Sequence, residues 1–273
     1  MKQTLATVSS NVEVMHGVYL MWIEAPDIAA AAQPGQFITV RCGHFTLRRP
    51  FSIHRVGNNN VIECEATQSQ VAILFRVAGR GTLWLSQRKA GERLDILGPL
   101  GKGFTIAPES KNLLLVAGGI GIAPLVFFTQ RASSQHQITL IHGANTVAQL
   151  YTERCHLTAI NHRRVHVIPV TENGSMGQKG MATDILPDFL DWADQIYACG
   201  PVNMYKTMAQ MSLRAKRSNL RLEKCQVSLE VRMGCGFGAC YACTIDTKKG
   251  LKQVCRDGPV FELDDIIWQE VKT

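Results

Sequence analysis

The residues with the most distinctive chemistry in this sequence are four cysteines in the stretch RMGCGFGACYACTIDTKKGLKQVC. They are Cys235, Cys240, Cys243 and Cys255, with the spacing C-x4-C-x2-C-x11-C. Thiolates bind soft metal centres, and four of them form the donor set of both iron–sulfur clusters and structural zinc sites. The spacing therefore has to discriminate between these two kinds of centre.

The spacing matches the plant-type [2Fe-2S] loop, in which a tight turn supplies three thiolates and a later segment supplies the fourth. Gly234, Gly236 and Gly238 alternate through this turn, as expected where backbone N–H groups wrap closely around sulfur atoms. Structural zinc usually uses two C-x2-C pairs, and this stretch has one. We predict a [2Fe-2S] cluster bound by the four cysteines, with zinc or free thiols as the alternatives.

Cysteines elsewhere in the chain show no metal-binding spacing. Cys42, Cys64, Cys155 and Cys225 are isolated among apolar or strand-like neighbours, which predicts small buried side chains. The start of the chain, MKQTLATVSSNVEV, lacks the apolar segment of an export signal. We therefore expect a cytoplasmic protein whose thiols are kept reduced rather than joined in disulfides.

Composition predicts a folded protein of several compact units. The chain has 273 residues, of which 46% are hydrophobic and 19% are charged, enough for two or three separate cores. The longest apolar run, residues 113–128, is shorter than the roughly 20 residues that span a bilayer. Glycines and a proline also interrupt this run, so we predict no membrane span.

The formal net charge of +7 is concentrated between Lys206 and Lys224. The basic residues there are Lys206, Arg214, Lys216, Arg217, Arg221 and Lys224, opposed only by Glu223. They fit either the solvated end of a helix or a docking patch for an acidic protein. No aromatic residues alternate with these charges, so a single-stranded nucleic acid is not an expected partner.

Residues 1–104 are predicted to form an antiparallel β-barrel. Four segments rich in β-branched or aromatic residues, each bounded by turn formers, have the pattern of short strands: VYLMWIEA, QFITVRC, VIECEATQ and RLDILGPLG. Helix is expected only around Ala72–Arg76 and Thr82–Lys89. A closed barrel is the natural packing for such a set of strands.

Two segments of this first unit suit a flavin nucleotide. In RRPFSIHR, the forked guanidinium of Arg49 suits a pyrophosphate, and the hydroxyl of Ser52 suits the edge of a flavin ring. In LFRVAGRGTLWLS, Gly79, Gly81 and Thr82 precede a predicted helix, where free backbone N–H groups suit a phosphate.

Residues 105–218 are predicted to form a parallel α/β nucleotide-binding unit, because apolar strands alternate with helices. The first strand, NLLLVAGG, runs into the turn GGIGIAP, whose Gly118, Gly119 and Gly121 mark a site for a dinucleotide pyrophosphate. The turn is not the G-x-G-x-x-G fingerprint, and no carboxylate follows the second strand. The choice between NAD and NADP therefore stays open.

In order and spacing, these segments resemble the ferredoxin-NADP reductase superfamily. The string VSLEVRMGCGFGACYACTIDTKKGLKQVCRDGPVF, within a third unit at 219–273, more narrowly resembles the electron-transfer subunits of type B dihydroorotate dehydrogenases. The resemblance implies FAD contacts at Arg49, Pro50, Phe51, Ser52, Leu74, Phe75, Arg76, Gly81 and Thr82. It also implies that the Gly118–Gly121 turn and a second turn, Cys199, Gly200 and Pro201, frame the nicotinamide of NAD.

The expected function is that of a flavin and iron–sulfur oxidoreductase subunit. A flavin links hydride transfer by nicotinamide to single-electron transfer by a cluster. The resemblance implies electron flow from an FMN-bearing catalytic subunit to NAD+ in pyrimidine biosynthesis, within a heterotetramer. No catalytic base is assigned to this chain. The alternatives are a subunit of an NAD(P)H:ferredoxin oxidoreductase or sulfide dehydrogenase complex, and a redox-sensing module.

Overall fold

The computed structural model describes residues 1–57, 69–151, 164–215 and 224–271, with only the backbone of residues 214 and 215. Several predictions fall outside the described residues and are not followed further. They are the strand VIECEATQ, the burial of Cys64 and Cys155, and the basic residues Lys216, Arg217 and Arg221.

The first part of the chain is a closed antiparallel barrel, as predicted. Its elements are β1 (Lys2–Met15), β2 (Val18–Glu24), α1 (Pro26–Ala31), β3 (Phe37–Val40), β4 (Arg49–Gly57), β5 (Gln70–Arg76), α2 (Arg80–Ser86) and β6 (Arg93–Leu100). The strand order around the barrel is β1-β2-β5-β4-β3-β6. Successive residues of a strand face opposite sides of the sheet. In β3, Ile38 and Val40 accordingly lie in the barrel core, whereas Phe37 belongs to a different core outside it.

The prediction of a helix at Ala72–Arg76 is wrong, because these residues belong to strand β5. The outward-facing residues Ala72 and Leu74 pack into a core shared with helix α3 (Ile122–Ala132), while Ile73 faces the barrel interior. The sequence of a strand that is buried on both faces is a continuous apolar run. Such a run lacks the alternation of apolar and polar residues that distinguishes a strand from a helix. The second predicted helix is present but begins earlier, at Arg80.

The rest of the chain is built on a seven-stranded sheet with helices. Its elements are β7 (Asn112–Gly118), α3, β8 (Gln137–Ala144), β9 (Val165–Thr171), β10 (Gln178–Lys179), β11 (Gln195–Cys199), α4 (Val202–Ala215), β12 (Cys225–Ser228), β13 (Thr244–Thr247), β14 (Gly250–Gln253), α5 (Val254–Asp257) and β15 (Val260–Glu262). The strand order is β10-β9-β8-β7-β11-β12-β15. All neighbours are parallel except β12 and β15. The predicted parallel α/β architecture is confirmed.

The apolar run at 113–128 forms most of strand β7, the following turn and the first part of helix α3. Within the described ranges, no helix has both the length and the apolar character needed to cross a bilayer.

The last part of the chain is packed against both other parts. Strands β12 and β15 extend the large sheet, and β13 and β14 form a separate hairpin. One core joins Phe37, Leu97 and Leu100, from the outside of the barrel, to Cys243 and Cys255. The division at 1–104, 105–218 and 219–273 stays a prediction, but the cluster segment is held against the barrel. Two other predicted buried thiols, Cys42 and Cys225, are indeed buried.

Candidate cofactor and electron-transfer sites

The hairpin β13–β14 brings together two of the four predicted cluster ligands. Cys243 immediately precedes β13 and Cys255 lies in α5, directly after β14. Thr244 pairs with Gln253 in the hairpin, so the residues just outside this pair are neighbours. The backbone N–H of Cys255 donates to Cys243 Sγ at 3.4 Å. Both side chains are buried, with 3% and 2% exposure.

The glycine-rich loop after β12 holds the other two thiols. The backbone N–H of Cys235 donates to Cys240 Sγ at 3.2 Å, and Cys235 Sγ accepts the N–H of Ala239 at 3.2 Å. The turn passes through positive φ at Gly236 (+83°) and Gly238 (+95°), a region that favours glycine. In contrast to the buried pair, Cys240 is exposed and Cys235 is half-buried.

This division into two pairs fits a binuclear iron centre. A [2Fe-2S] cluster takes two protein thiolates on each iron, whereas structural zinc takes all four ligands on one ion. The loop is also shaped to its sulfurs, because a Cβ on Gly234 would lie 2.9 Å from Cys240 Sγ. The donor set and its pairing therefore suit the predicted cluster.

The electrostatics of the two pairs differ. Burial raises the pKa of Cys235, but the backbone N–H groups that point at its sulfur outweigh burial and lower that pKa to about 6. Burial, together with the neighbouring Cys243, raises the pKa of Cys255 to about 12. The surroundings of Cys235 therefore stabilise a thiolate without metal, whereas those of Cys255 disfavour a thiolate unless a cation is bound.

The predicted flavin contacts converge at one end of the barrel. They come from the start of β4, the end of β5 and the start of α2. The rings of Phe51 and Phe75 lie 5.5 Å apart, and a Cβ on Gly81 would lie 3.0 Å from Arg49 Nε. A side chain at position 81 would therefore crowd this arginine. The structure thus brings together three segments that are separated in sequence.

Two arginine side chains lie close together beside these segments. The guanidinium groups of Arg49 and Arg80 lie 5.8 and 5.7 Å from the ring centroid of Phe45. A pair of arginines on one aromatic ring is a suitable partner for a pyrophosphate. The hydroxyl of Thr82, also predicted to contact the cofactor, here accepts the N–H of Gly79 at 3.1 Å and so supports its own turn.

The predicted nicotinamide residues lie side by side because β7 and β11 are parallel neighbours. A Cβ on Gly118 would lie 2.6 Å from Pro201 Cδ, and one on Gly121 would lie 2.1 Å from the carbonyl oxygen of Cys199. These contacts require glycine and leave bare backbone at the carboxyl edge of the sheet. Dinucleotides bind at such an edge in open α/β folds.

Two residues that sequence reasoning did not assign support this edge. The hydroxyl of Tyr205 accepts the N–H of Gly200 at 2.8 Å and donates to the carbonyl of Ser228 at 2.7 Å. His142 Nε2 lies 3.2 Å from the carbonyl oxygen of Gly119. Burial lowers the pKa of His142 to about 4, so the neutral ring donates this bond. Both residues lie in predicted elements, but no local pattern shows what their side chains contact.

Cys199 behaves as a wall of the site rather than as a nucleophile. Burial, reinforced by the negative charge of Glu230, raises the pKa of its thiol to about 12. A thiol is nucleophilic only when it is deprotonated. Cys199 therefore offers a small neutral surface beside the glycine turn.

The flavin and nicotinamide segments adjoin each other, and the cluster loop lies on the barrel close by. A Cβ on Gly119, at φ +53°, would lie 3.9 Å from Nη2 of Arg76 in the flavin segment. On the cluster side, a Cβ on Gly236 would lie 2.8 Å from Thr39 Cγ2. Thr39 pairs with Pro50 of the flavin segment. The three candidate sites are therefore consecutive across the molecule.

Two family models match the chain in this same arrangement. The iron-sulfur cluster binding domain of dihydroorotate dehydrogenase B matches residues 230–267, and the oxidoreductase NAD-binding domain matches residues 115–210. The chain therefore has an iron–sulfur binding domain and an NAD-binding oxidoreductase domain.

Solved structures share the fold. The NADH-dependent reduced ferredoxin-NADP oxidoreductase, described in a study of flavin-based electron bifurcation, superposes with a TM-score of 0.80 at 27% identity, covering 97% of this chain and 91% of that one. A ferredoxin NADP+ reductase from Neisseria gonorrhoeae with bound FAD and NADP has a TM-score of 0.64 at 17% identity, covering 78% of this chain and 92% of that one. The second likeness concerns the fold alone.

Curated relatives extend over nearly the whole chain. The dihydroorotate dehydrogenase B (NAD(+)) electron transfer subunit of Desulforamulus reducens is 37% identical over 94% of this chain and 95% of the relative. The protein of the same name from Listeria monocytogenes serotype 4a is 36% identical over 97% of this chain and 99% of the relative. With the paired cysteines and the adjoining flavin and nicotinamide segments, this identity shows that the chain belongs to the family of dihydroorotate dehydrogenase B electron transfer subunits.

Proposed function

We propose that the chain carries electrons from a catalytic dihydroorotate dehydrogenase subunit to NAD+, using a [2Fe-2S] cluster at the four cysteines and FAD at the barrel. The observation that carries the proposal is the position of the cluster loop. One side of the loop packs on the barrel at Thr39, beside the flavin segment, and the other side exposes Cys240. A cluster held there lies between the flavin and a docked protein.

When bound, FAD supplies the chemistry that links hydride transfer to single-electron transfer. The residues of this chain bind and orient the groups. Arg49 and Arg80 bind the pyrophosphate, and Ser52 on β4 binds the edge of the flavin ring. The bare backbone at Gly118 and Gly121 lets the dinucleotide approach the sheet edge, where the thiol of Cys199 forms an uncharged wall.

The partner docks on the exposed side of the cluster loop. Phe237 and Tyr241 are 48% and 68% exposed there, and the segment 233–245 that contains them has no charged residue. Exposed aromatic residues are typical of the centre of a protein interface. The partner of this proposal bears FMN, and the two subunits assemble as a heterotetramer in the cytoplasm, where the cluster thiols stay reduced before metal binding.

A mixing experiment tests this function. The purified holoprotein is combined with a purified catalytic subunit of dihydroorotate dehydrogenase B, and dihydroorotate-dependent reduction of NAD+ is followed with each protein alone and with both. Turnover should require both proteins, and size-exclusion chromatography with light scattering should give the mass of two copies of each. Turnover by either protein alone, equal to that of the mixture, would refute the division of labour.

A second candidate function keeps the same sites and changes the partner. The similarity to the NADH-dependent reduced ferredoxin-NADP oxidoreductase favours a reductase subunit that exchanges electrons between NAD(P)H and ferredoxin. Reduction of added ferredoxin by NADPH, with no response to dihydroorotate in the presence of the catalytic subunit, would select this function over the first.

A further inference from the structure

The barrel contains a buried hydroxyl group that has no hydrogen-bond partner in the described part of the chain. Thr39 is 1% exposed, and its Oγ1 makes no hydrogen bond there. Buried polar groups are nearly always hydrogen-bonded, because their desolvation is otherwise uncompensated. An orphaned hydroxyl inside a protein is completed by an ordered water or by a bound group.

The position of Thr39 shows which group this is. Ile38 and Val40 face the barrel interior, so Thr39 faces outwards with Phe37, which packs in the same core as Cys243 and Cys255. A Cβ on Gly236 would lie 2.8 Å from Thr39 Cγ2 and 4.0 Å from its Cβ. Since Gly236 directly follows Cys235, the threonine lies beneath the first turn of the cluster loop.

The same residue adjoins the flavin segment. Thr39 pairs with Pro50, and Phe37 pairs with Ser52, so β3 lies directly beside the segment expected to bind the flavin ring. Thr39 thus lies on the barrel side of the cluster loop. The opposite side of the loop exposes Phe237 to solvent.

We propose that the hydroxyl of Thr39 donates a hydrogen bond to a sulfur of the [2Fe-2S] cluster and thereby raises the reduction potential of the cluster. Reduction adds one negative charge to the iron and sulfur atoms, and a donor aimed at sulfur stabilises that charge. Thr39 is a positioning and tuning residue that transfers no electron itself. The proposal rests on the proposed function only in requiring that the four cysteines hold the cluster.

Replacement of the hydroxyl tests the proposal through the cluster potential, without the partner subunit. Thr39→Val keeps the shape of the side chain and removes the donor, while Thr39→Ser keeps the donor. Each holoprotein is titrated with dithionite and mediator dyes, and the reduced cluster is followed by electron paramagnetic resonance. We expect the reduction potential of the cluster to be about 59 mV lower in Thr39→Val, which corresponds to a tenfold change in the equilibrium of a one-electron couple. Thr39→Ser should have the wild-type potential.

Thr129→Val is the matched control, since the buried hydroxyl of Thr129 donates to the carbonyl of Leu125 within α3, at 2.8 Å. The cluster potential should not change in this variant. An unchanged cluster potential in Thr39→Val overturns the proposal, and so does a shift confined to the potential of the flavin. Wild-type protein that binds no iron would instead refute the proposed function itself, so the two failures are distinguishable.

If Thr39→Val does not bind the cluster, two other measurements test the proposal, one on Thr39→Ala and one on the wild type. Thr39→Ala adds no atom against Gly236 and should give the same potential shift. In reduced wild-type protein, electron–nuclear double resonance should lose one coupled proton after brief transfer to D2O, because hydroxyl protons exchange faster than hydrogen-bonded amides. Retention of all coupled protons overturns the proposal.

Discussion

The two pairs of cysteines use the same donor atom in opposite surroundings. Cys243 and Cys255 are buried in a core that also contains residues from the outside of the barrel, and a hairpin aligns them. Cys235 and Cys240 lie in a loop with positive-φ glycines and depend on backbone N–H groups. The comparison teaches that one half of the site is anchored by packing, whereas the other is shaped by the backbone and exposes Cys240 to solvent.

The largest expected effect comes from breaking the anchored half. Cys255→Ser should abolish cluster binding and lower NAD-linked electron transfer on the order of 100-fold or more, beyond the usual effect of a residue that only supports a ligand. Iron content and the visible spectrum measure the loss. Cys240→Ser, in the exposed loop, should retain more iron, because its neighbours pack less tightly. Equal iron loss in both variants would contradict the proposed asymmetry.

A second prediction concerns the shape of the exposed half. Gly236→Ala introduces a Cβ at φ +83° that would lie 2.8 Å from Thr39 Cγ2, so we expect strain and collision together, about 2–3 kcal/mol. The matched control is Gly250→Ala in hairpin β13–β14, where φ is +86° and no atom lies within 4 Å of the added Cβ.

The control should cost only the strain, about 1–2 kcal/mol. The thermal midpoint and the iron content of both holoproteins are the measurements. A control that is as damaging as Gly236→Ala would show that packing on the barrel does not contribute.

A third prediction tests whether the exposed half faces the partner. Phe237→Ala should weaken binding of the catalytic subunit about tenfold, as expected for an aromatic side chain at the centre of an interface. Calorimetry or interferometry measures the affinity. Leu5→Ala, at an exposed position on β1, should leave the affinity unchanged. Iron content and thermal midpoint should stay at wild-type values in both variants, and equal weakening by both would exclude the loop as the docking surface.

The smallest effect concerns the apoprotein. The lowered pKa of about 6 means that the Cys235 thiolate forms as pH rises through that value, whereas the raised pKa of Cys255 keeps its thiol protonated. The alkylation rate of Cys235 should therefore increase about threefold from about pH 5.5 to about pH 6.5, while that of Cys255 stays low. Mass spectrometry after timed iodoacetamide treatment measures both rates. Parallel rates would show that the N–H groups do not act on Cys235.

Sequence patterns predicted the elements that are decided locally. The apolar segment of β7 and the glycine turn after it are present where the sequence placed them, and strands alternate with helices from there on, as predicted. The prediction of a helix at 72–76 was wrong, because burial on both faces of β5 depends on α3, which comes much later in the chain. The roles of Tyr205 and His142 were missed for the same reason, since each depends on a contact with another element.

The sequence alone determined the kind of chemistry: the cysteine spacing, the alternating glycines and the R-P-F-S segment are properties of short stretches, whose meaning does not depend on distant residues. Only the tertiary structure decided how those stretches meet. Strand register placed Thr39 opposite Pro50, and packing placed Gly236 on Thr39. Pairing of β13 with β14 separated the thiols into a buried and an exposed pair. The contact between Gly236 and Thr39 joins distant parts of the chain. It cannot be predicted locally, because burial and register are set by all the packed elements together.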